Sequence, residues 1–156
     1  MSATAESDRI AEETRAILAA HACMEGPLLP VLHSVQAAFG HLPDAALPVV
    51  AETLGISRAE LQGVTSFYHD FREAPAGRRV VKLCRAEACQ AVGGRRLEAH
   101  AQARLGVDWG ETSADGAVTL EPVYCLGLCA CGPAALVDGT PVARLTPEAF
   151  DRLVSA

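Results

Sequence analysis

Two pairs of cysteines constrain this chain more than any other feature of its sequence. Cys84 and Cys89 form a C-x4-C pair, and Cys125 and Cys129 form a C-x3-C pair further along the chain. Each pair follows a short run of apolar and β-branched residues that predicts a strand. If the loops after these two strands converge, they form a pocket lined by four thiolates. The fold therefore has to bring two loops of one small sheet together.

The composition excludes several classes of protein. A chain of 156 residues with 50% hydrophobic residues allows one or two small domains. The net charge of −6 argues against nucleic-acid binding, and the absence of an apolar run of about 18 residues argues against membrane insertion. The amino-terminal residues lack the pattern of a secretory signal, so we expect a cytoplasmic protein with reduced thiols. Clustered cysteines then indicate metal binding or redox chemistry rather than structural disulfides.

Apolar residues at helical spacing predict a helical first domain over residues 1–77. Ser57 and Glu60 have the spacing of a capping box at the start of the fourth helix. Pro48 lies past the predicted start of the third helix and indicates a kink or a delayed start. The four predicted helices run from Ser7 to about Cys23, from Pro27 to Gly40, from near Pro43 to Gly55, and from Ser57 onward.

No catalytic constellation is apparent in this helical half. Phe67, Tyr68 and Phe71 are interpreted as core anchors, with a docking surface for another subunit as the alternative. Lone histidines and Cys23 are interpreted as ordinary surface or packing residues. A Pro- and Gly-containing charged segment, residues 72–79, indicates the boundary of a second domain that covers residues 78–156.

The second half has the order β-α-β-β-β-α. A strand leads to Cys84, a helix covers about residues 90–105, and a second strand covers residues 118–124, where Pro122 indicates a sheet edge or a bulge. Asp138-Gly139 predicts a hairpin, and Thr146 with Pro147 predicts the start of the last helix. The expected fold class is α+β, in which an N-terminal helical bundle precedes a thioredoxin-like α/β domain with a four-stranded mixed sheet.

Three chemistries compete for the four cysteines. Structural zinc favours shorter C-x2-C knuckles, and a redox dithiol needs a C-x-x-C that this chain lacks. A [2Fe–2S] cluster needs two thiolates for each of its two irons, which matches two separate pairs. Two ferric ions, two sulfides and four thiolates sum to a double negative charge, so the site also needs hydrogen-bond donors. Gly127 and Gly132 permit the bent loops that supply backbone N–H groups, and Arg85 either offsets the charge or points into solvent.

Several segments resemble the thioredoxin-like [2Fe-2S] ferredoxin family over nearly the whole chain from about Leu28. The resembling segments are Leu-Leu-Pro-Val-Leu-His33, Phe-Gly-His-Leu-Pro43, Ser-Arg-Ala-Glu60, Gly-Val-Thr-Ser-Phe-Tyr68 and Cys-Leu-Gly-Leu-Cys129. The resemblance implies that Cys84, Cys89, Cys125 and Cys129 hold one [2Fe-2S] cluster. Cys131 departs from the commoner family pattern, and we expect the fourth ligand to be Cys129 rather than Cys131.

The resemblance also implies a parent complex. Phe-Tyr-His-Asp-Phe-Arg72 and Cys-Arg-Ala-Glu-Ala-Cys89 are most similar to the gamma subunit of NAD-dependent, molybdenum-containing formate dehydrogenase. The expected partner is a larger subunit that carries FMN, the NAD site and further clusters, and through it a molybdenum-containing catalytic subunit. The corresponding small subunit of complex I (NADH:quinone oxidoreductase) or of an NAD-linked hydrogenase is the alternative. The chain is then an electron-transfer subunit that is non-catalytic alone, and the alternative from another class is a zinc-stabilised interaction module.

Overall fold

A computed structural model describes residues 3–155 of the chain. The chain divides between Pro75 and Ala76 into two compact units, one helical and one mixed α/β. Among the helices of the described residues, none has the length and the apolar character that a membrane span requires.

The described part of the first unit, residues 3–75, contains four helices. They are α1 (Ala3–Ala20), α2 (Leu28–Phe39), α3 (Ala46–Leu54) and α4 (Arg58–Phe67). Their apolar faces share one core, in which Val31, Leu32, Val35 and Val50 are fully buried. The helix number and order match the prediction.

Local capping chemistry explains most of the helix boundaries. The hydroxyl of Ser57 accepts the N–H of Glu60 at 3.1 Å, while the Glu60 carboxylate accepts the Ser57 N–H at 2.8 Å, which confirms the predicted capping box. Helix α3 begins at Ala46, later than the predicted start near Pro43. Pro48 is therefore the third residue of the helix and lies in its first turn, where a proline is tolerated. Gly40 closes α2 in the left-handed conformation with a φ of 77°.

The first helix differs from its prediction at both ends. It begins at Ala3 rather than after a cap at Ser7, and it ends at Ala20 rather than near Cys23. The residues before Ser7 include alanine and glutamate, which favour helix, so the capping preference of a serine did not decide the start. At the other end, the N–H of His21 bonds the carbonyl of Leu18 at 3.1 Å, a three-residue spacing that closes the helix.

The aromatic residues after α4 divide between core and surface. Phe71 is buried in the helical core, as predicted. Phe67 and Tyr68 are 72% and 44% exposed, so their interpretation as core anchors is wrong. Phe67 is the last residue of α4, whose buried positions are Leu61 and Thr65, and Tyr68 follows it in an extended conformation.

The second unit contains a four-stranded sheet with helices. Its elements are β1 (Arg79–Cys84), α5 (Glu87–Ala91), α6 (Gly94–Leu105), β2 (Val118–Val123), a single 3-10 turn (Cys129–Cys131), β3 (Ala135–Val137), β4 (Thr140–Val142) and α7 (Pro147–Ser155). The single predicted helix near residues 90–105 is in fact two, because Gly93 with a φ of 103° interrupts it.

The sheet has the strand order β2-β1-β3-β4. Strands β1 and β2 are parallel, whereas β3 is antiparallel to both β1 and β4, so the sheet is mixed as predicted. Pro122 lies on β2 at the edge of this sheet, in agreement with its sequence signal. Phe150 of α7 is fully buried in the core of this unit, together with Val81 and Leu120 of the two parallel strands.

Candidate metal centre

The parallel pairing of β1 and β2 brings the two cysteine loops to one edge of the sheet. Cys84 is the last residue of β1, and its register partner Val123 is the last residue of β2. The N–H of Arg85 bonds the carbonyl of Val123 at 2.8 Å and extends the ladder beyond the strands. Cys125 follows only two residues after Val123. The convergence of the two loops, on which the four-thiolate site depends, is therefore present.

The four thiols lie as two pairs of different exposure. Cys84 and Cys89 are 5% and 2% exposed, and they pack with Ala134 in one small buried cluster. The sulfurs of Cys125 and Cys129 are 3.7 Å apart, and both residues are exposed. The two pairs also interact across the site, because the charges of Cys84 and Cys129 affect each other electrostatically.

Backbone amides stabilise the thiolate of Cys84. Burial by itself raises the pKa of Cys84, but the N–H of Ala86, the Cys89 thiol and the N–H groups of Cys125 and Leu126 together hold it below its usual range. Amides from both loops thus converge on one sulfur. A sulfur surrounded in this way is suited to carry negative charge.

The pKa values of Cys89 and Cys129 shift in the opposite direction to that of Cys84. Burial and then the Cys84 thiol raise the pKa of Cys89, although the N–H of Ala134 partly offsets this. The pKa of Cys129 is raised by its hydrogen bond with Cys125 and by the charge of that thiol. Burial and the contacts between neighbouring thiols thus favour the protonated forms of Cys89 and Cys129, and a bound cation would favour their thiolates.

Backbone bends shape the second loop. Cys125 and Gly127 both have a φ of 75°, a conformation that glycine adopts freely and cysteine only under local constraint. Gly132 approaches the other loop closely, since a Cβ atom there would stand 2.9 Å from Cγ2 of Val92 and 3.4 Å from Sγ of Cys89. The predicted role of these two glycines, bending and close approach, matches this geometry.

The donor set fits a two-iron cluster. Two thiol pairs and convergent amides supply the ligands and the charge compensation that a [2Fe-2S] cluster needs, and Cys84, Cys89, Cys125 and Cys129 would hold it. Within residues 3–155, no three His, Cys, Asp or Glu side chains are grouped so as to hold one metal ion.

The remaining two cysteines have different positions. Cys131 is half-buried in the 3-10 turn, where its N–H bonds the carbonyl of Leu128 at 2.9 Å and its own carbonyl accepts the N–H of Arg144 at 2.8 Å. Cys23 lies exposed after α1 in the helical unit, rather than serving as the buried residue suggested by its sequence. All six cysteines are free thiols.

Arg85 and Glu98 form a charged pair near the cysteines, and the sequence indicated a role only for Arg85. Arg85, predicted either to offset charge or to point into solvent, donates from Nε to Oε2 of Glu98 at 3.3 Å. Its guanidinium also lies 4.9 Å from the ring centroid of Trp109. Glu98 gave no sequence signal, because glutamate on a helix is ordinarily a surface residue.

Comparison with known proteins identifies the family of this chain. The profile of the thioredoxin-like [2Fe-2S] ferredoxin family matches residues 14–156. The E-subunit of the NADH-quinone oxidoreductase of Escherichia coli is 36% identical over 126 residues, which cover 81% of this chain and 76% of that protein. The protein of the same name from Pseudomonas aeruginosa is 34% identical over 128 residues, 82% of this chain and 77% of its own length.

A solved structure shows the same likeness. The chain superimposes on the crystal structure of an NAD+-reducing [NiFe]-hydrogenase with a TM-score of 0.70 and 27% sequence identity. The match covers 83% of this chain but only 22% of that longer hydrogenase chain. The fold, the extent of the profile match and the relatives agree, and this chain belongs to the thioredoxin-like [2Fe-2S] ferredoxin family.

Proposed function

We propose that this chain holds one [2Fe-2S] cluster on Cys84, Cys89, Cys125 and Cys129 and serves as an electron-transfer subunit of an NAD-linked oxidoreductase complex. Family membership supports the cluster rather than zinc. The observation that carries the ligand assignment is the arrangement of two thiol pairs at the ends of two parallel strands. A bound cluster supplies a one-electron redox centre.

The four proposed ligands have different roles at this site. Cys84 and Cys89 anchor one side of the cluster in the protein interior, where amides hold negative charge. Cys125 and Cys129 form the exposed side, which is the side from which an electron can enter or leave over a short distance. Since one cluster carries one electron at a time, it needs a redox partner close to this exposed side. We propose that this partner is the FMN of a larger, NAD-binding subunit.

The similar proteins support more than one candidate for the parent complex. The relatives are named as subunits of NADH-quinone oxidoreductase, and the matching structure is an NAD+-reducing hydrogenase. Both names support an NAD-linked complex, and both correspond to the alternatives drawn from the sequence. An NAD-dependent formate dehydrogenase with a molybdenum subunit remains the prediction of the resemblance at residues 67–72 and 84–89.

The helical unit is proposed to be a docking domain. It supplies none of the four proposed cluster ligands, yet it exposes Phe67 and Tyr68 side by side, with ring centroids 5.1 Å apart. Such exposed aromatic side chains are enriched at protein interfaces. We propose that the larger subunit of the complex covers them.

Purification of the native complex tests this function. We expect an anaerobic preparation to contain about two irons and two acid-labile sulfides for each copy of this chain, together with an FMN-containing partner. Companion subunits identified by mass spectrometry distinguish formate, quinone and hydrogen chemistry. A colourless, zinc-containing preparation that lacks iron would contradict the proposal.

A docking test requires a matched pair of variants. Phe67→Ser should weaken recovery of the larger subunit without changing visible absorption of the cluster. Met24→Ser removes another exposed apolar side chain, in the segment after α1, and serves as the comparison. Equal recovery of the partner with wild-type chain and with Phe67→Ser would contradict a docking role for this ring.

A further inference from the structure

Glu98 contacts the residues that directly follow the two buried cysteines. Its Oε2 accepts the Nε–H of Arg85, the residue after Cys84, at 3.3 Å. Its Oε1 accepts a hydrogen bond from Nε2 of Gln90, the residue after Cys89. One carboxylate therefore joins the end of β1 to the short helix α5. These two segments are the ones that present the buried thiols.

Helix α6 holds this carboxylate close to the site. A Cβ atom on Gly94, the first residue of α6, would stand 2.7 Å from the carbonyl oxygen of Cys89. Glu98 lies one turn further along the same helix, and its side chain is only 12% exposed. Its position is therefore set by helix packing rather than by a flexible surface conformation.

Charge and burial make this carboxylate relevant to electron transfer. The potential of an iron–sulfur cluster depends on nearby charge, on hydrogen bonds and on solvent exposure. Reduction adds one electron to a cluster that is already negative, so a nearby carboxylate opposes reduction and a nearby guanidinium favours it. Limited solvent access strengthens both effects relative to the protein surface.

We infer that Glu98 is a positioning residue that holds Arg85 beside Cys84 and Gln90 beside Cys89, and that its charge lowers the reduction potential of the cluster. The inference rests on the cluster site proposed above. It adds a determinant of potential that lies outside the four cysteines and on a different helix.

The surroundings of Gln90 allow charge and contact to be separated. Oε1 of Gln90 is buried, and it finds no hydrogen-bond partner within residues 3–155. In the variant Glu98→Gln, the new amide oxygen can still accept from Arg85. Its NH2 group can donate to Oε1 of Gln90 once the Gln90 amide turns over. This variant therefore removes a charge while it keeps both contacts.

The test is a potentiometric titration of the cluster-loaded full chain, monitored by electron paramagnetic resonance, with the titrating reductant supplying the electron. Glu98→Gln should raise the ratio of reduced to oxidised cluster on the order of tenfold at a given potential, an upward shift of about 59 mV for one electron. Arg85→Gln should shift the ratio in the opposite direction by a similar factor.

Asp138→Asn is the matched control. Asp138 also pairs with an arginine, Arg79, at 3.2 Å, but this pair lies at the opposite end of β1 from Cys84. Asp138 has a φ of 51°, which asparagine tolerates. We expect this variant to leave the potential unchanged.

A second variant tests the positioning role. Glu98→Leu loses both hydrogen bonds, and it should release iron to a chelator about tenfold faster than Glu98→Gln, since outer-shell partners hold ligands in place. A shift with Glu98→Gln no larger than that with Asp138→Asn would overturn the inference and leave the proposed function intact. Wild-type chain without a cluster would overturn the proposed function and the inference with it.

Discussion

The first residue of α6, Gly94, lies directly against the backbone of Cys89. A Cβ atom built on Gly94 would stand 2.7 Å from the carbonyl oxygen of Cys89 and 2.9 Å from its carbonyl carbon. Neither backbone atom can move without shifting a proposed cluster ligand. The close packing of this helix start against the cysteine turn is thus a condition for the site.

Gly94→Ala is therefore expected to destabilise the α/β unit by about 1–3 kcal/mol, the usual cost of overpacking. Urea unfolding followed by fluorescence of Trp109, the single tryptophan of the chain, measures the free energy of unfolding of this unit. The visible absorption of the cluster should also fall, because the ligand turn is displaced.

Gly63→Ala is the control for this substitution. Gly63 lies in α4, and a Cβ atom there would meet nothing within 4 Å. We expect a gain of about 0.5–1 kcal/mol in the helical unit, measured by circular dichroism, because alanine favours helix over glycine. Equal losses for Gly63→Ala and Gly94→Ala would show that the contact with Cys89 is unimportant.

Serine substitutions separate the two candidates for the fourth ligand. Cys129→Ser should abolish or strongly alter the visible spectrum of the cluster, since Cys129 lies 3.7 Å from Cys125. Cys131→Ser should leave the spectrum and the iron content unchanged, because the 3-10 turn is held by backbone hydrogen bonds of Cys131. The reverse pattern would assign Cys131 as the ligand.

The capping box of α4 predicts a dependence of stability on pH. The N–H of Ser57, and then its hydroxyl, lower the pKa of Glu60 below its ordinary value of 4.5. A lowered pKa means that the carboxylate contributes stability above its unfolded-state pKa and loses this contribution as the pH falls through the folded-state value. Glu60→Gln should therefore be less stable than wild type at about pH 7, and the difference should be smaller at about pH 3.

Unfolding of both proteins at the two pH values, followed by circular dichroism, checks this expectation. Glu52→Gln, which removes the same charge from an exposed position of helix α3, controls for a general effect of net charge. A difference between wild type and Glu60→Gln that persists undiminished in acid would exclude the capping carboxylate as its cause.

Phe150 is predicted to be the main anchor of α7. It is fully buried in the α/β core, so Phe150→Ala should lower the free energy of unfolding of this unit by about 3–5 kcal/mol. Trp109 fluorescence during urea unfolding measures the loss. Val154→Ala, which shortens a half-buried side chain on the same helix, should cost clearly less.

Structural features that depend on neighbouring residues were predicted correctly from the sequence. The capping box at Ser57, the hairpin at Asp138-Gly139 and the helix start at Thr146 depend on neighbouring residues, and all three are present. Gly139 and Asp138 have φ values of 80° and 51°, which the two-residue hairpin loop requires. The resemblance of several short segments, among them Cys-Leu-Gly-Leu-Cys129, also led to the correct family.

Contacts between residues that are distant in the chain could not be predicted from the sequence. Nothing near Glu98 in the sequence indicates that its carboxylate meets Arg85 and Gln90, since these residues come together only when α6 packs against the cysteine turn. Similarly, Phe67 and Tyr68 have core-like side chains, and only the packing of the helical unit shows that both are exposed.

The sequence by itself determined the local elements and the identity of the candidate ligands, because caps, turns and cysteine spacing act over a few residues. The tertiary structure decided which thiols are buried and which charges surround them. The physical reason is that burial and electrostatics depend on residues far apart in the chain, which the parallel pairing of β1 and β2 and the packing of α6 bring together.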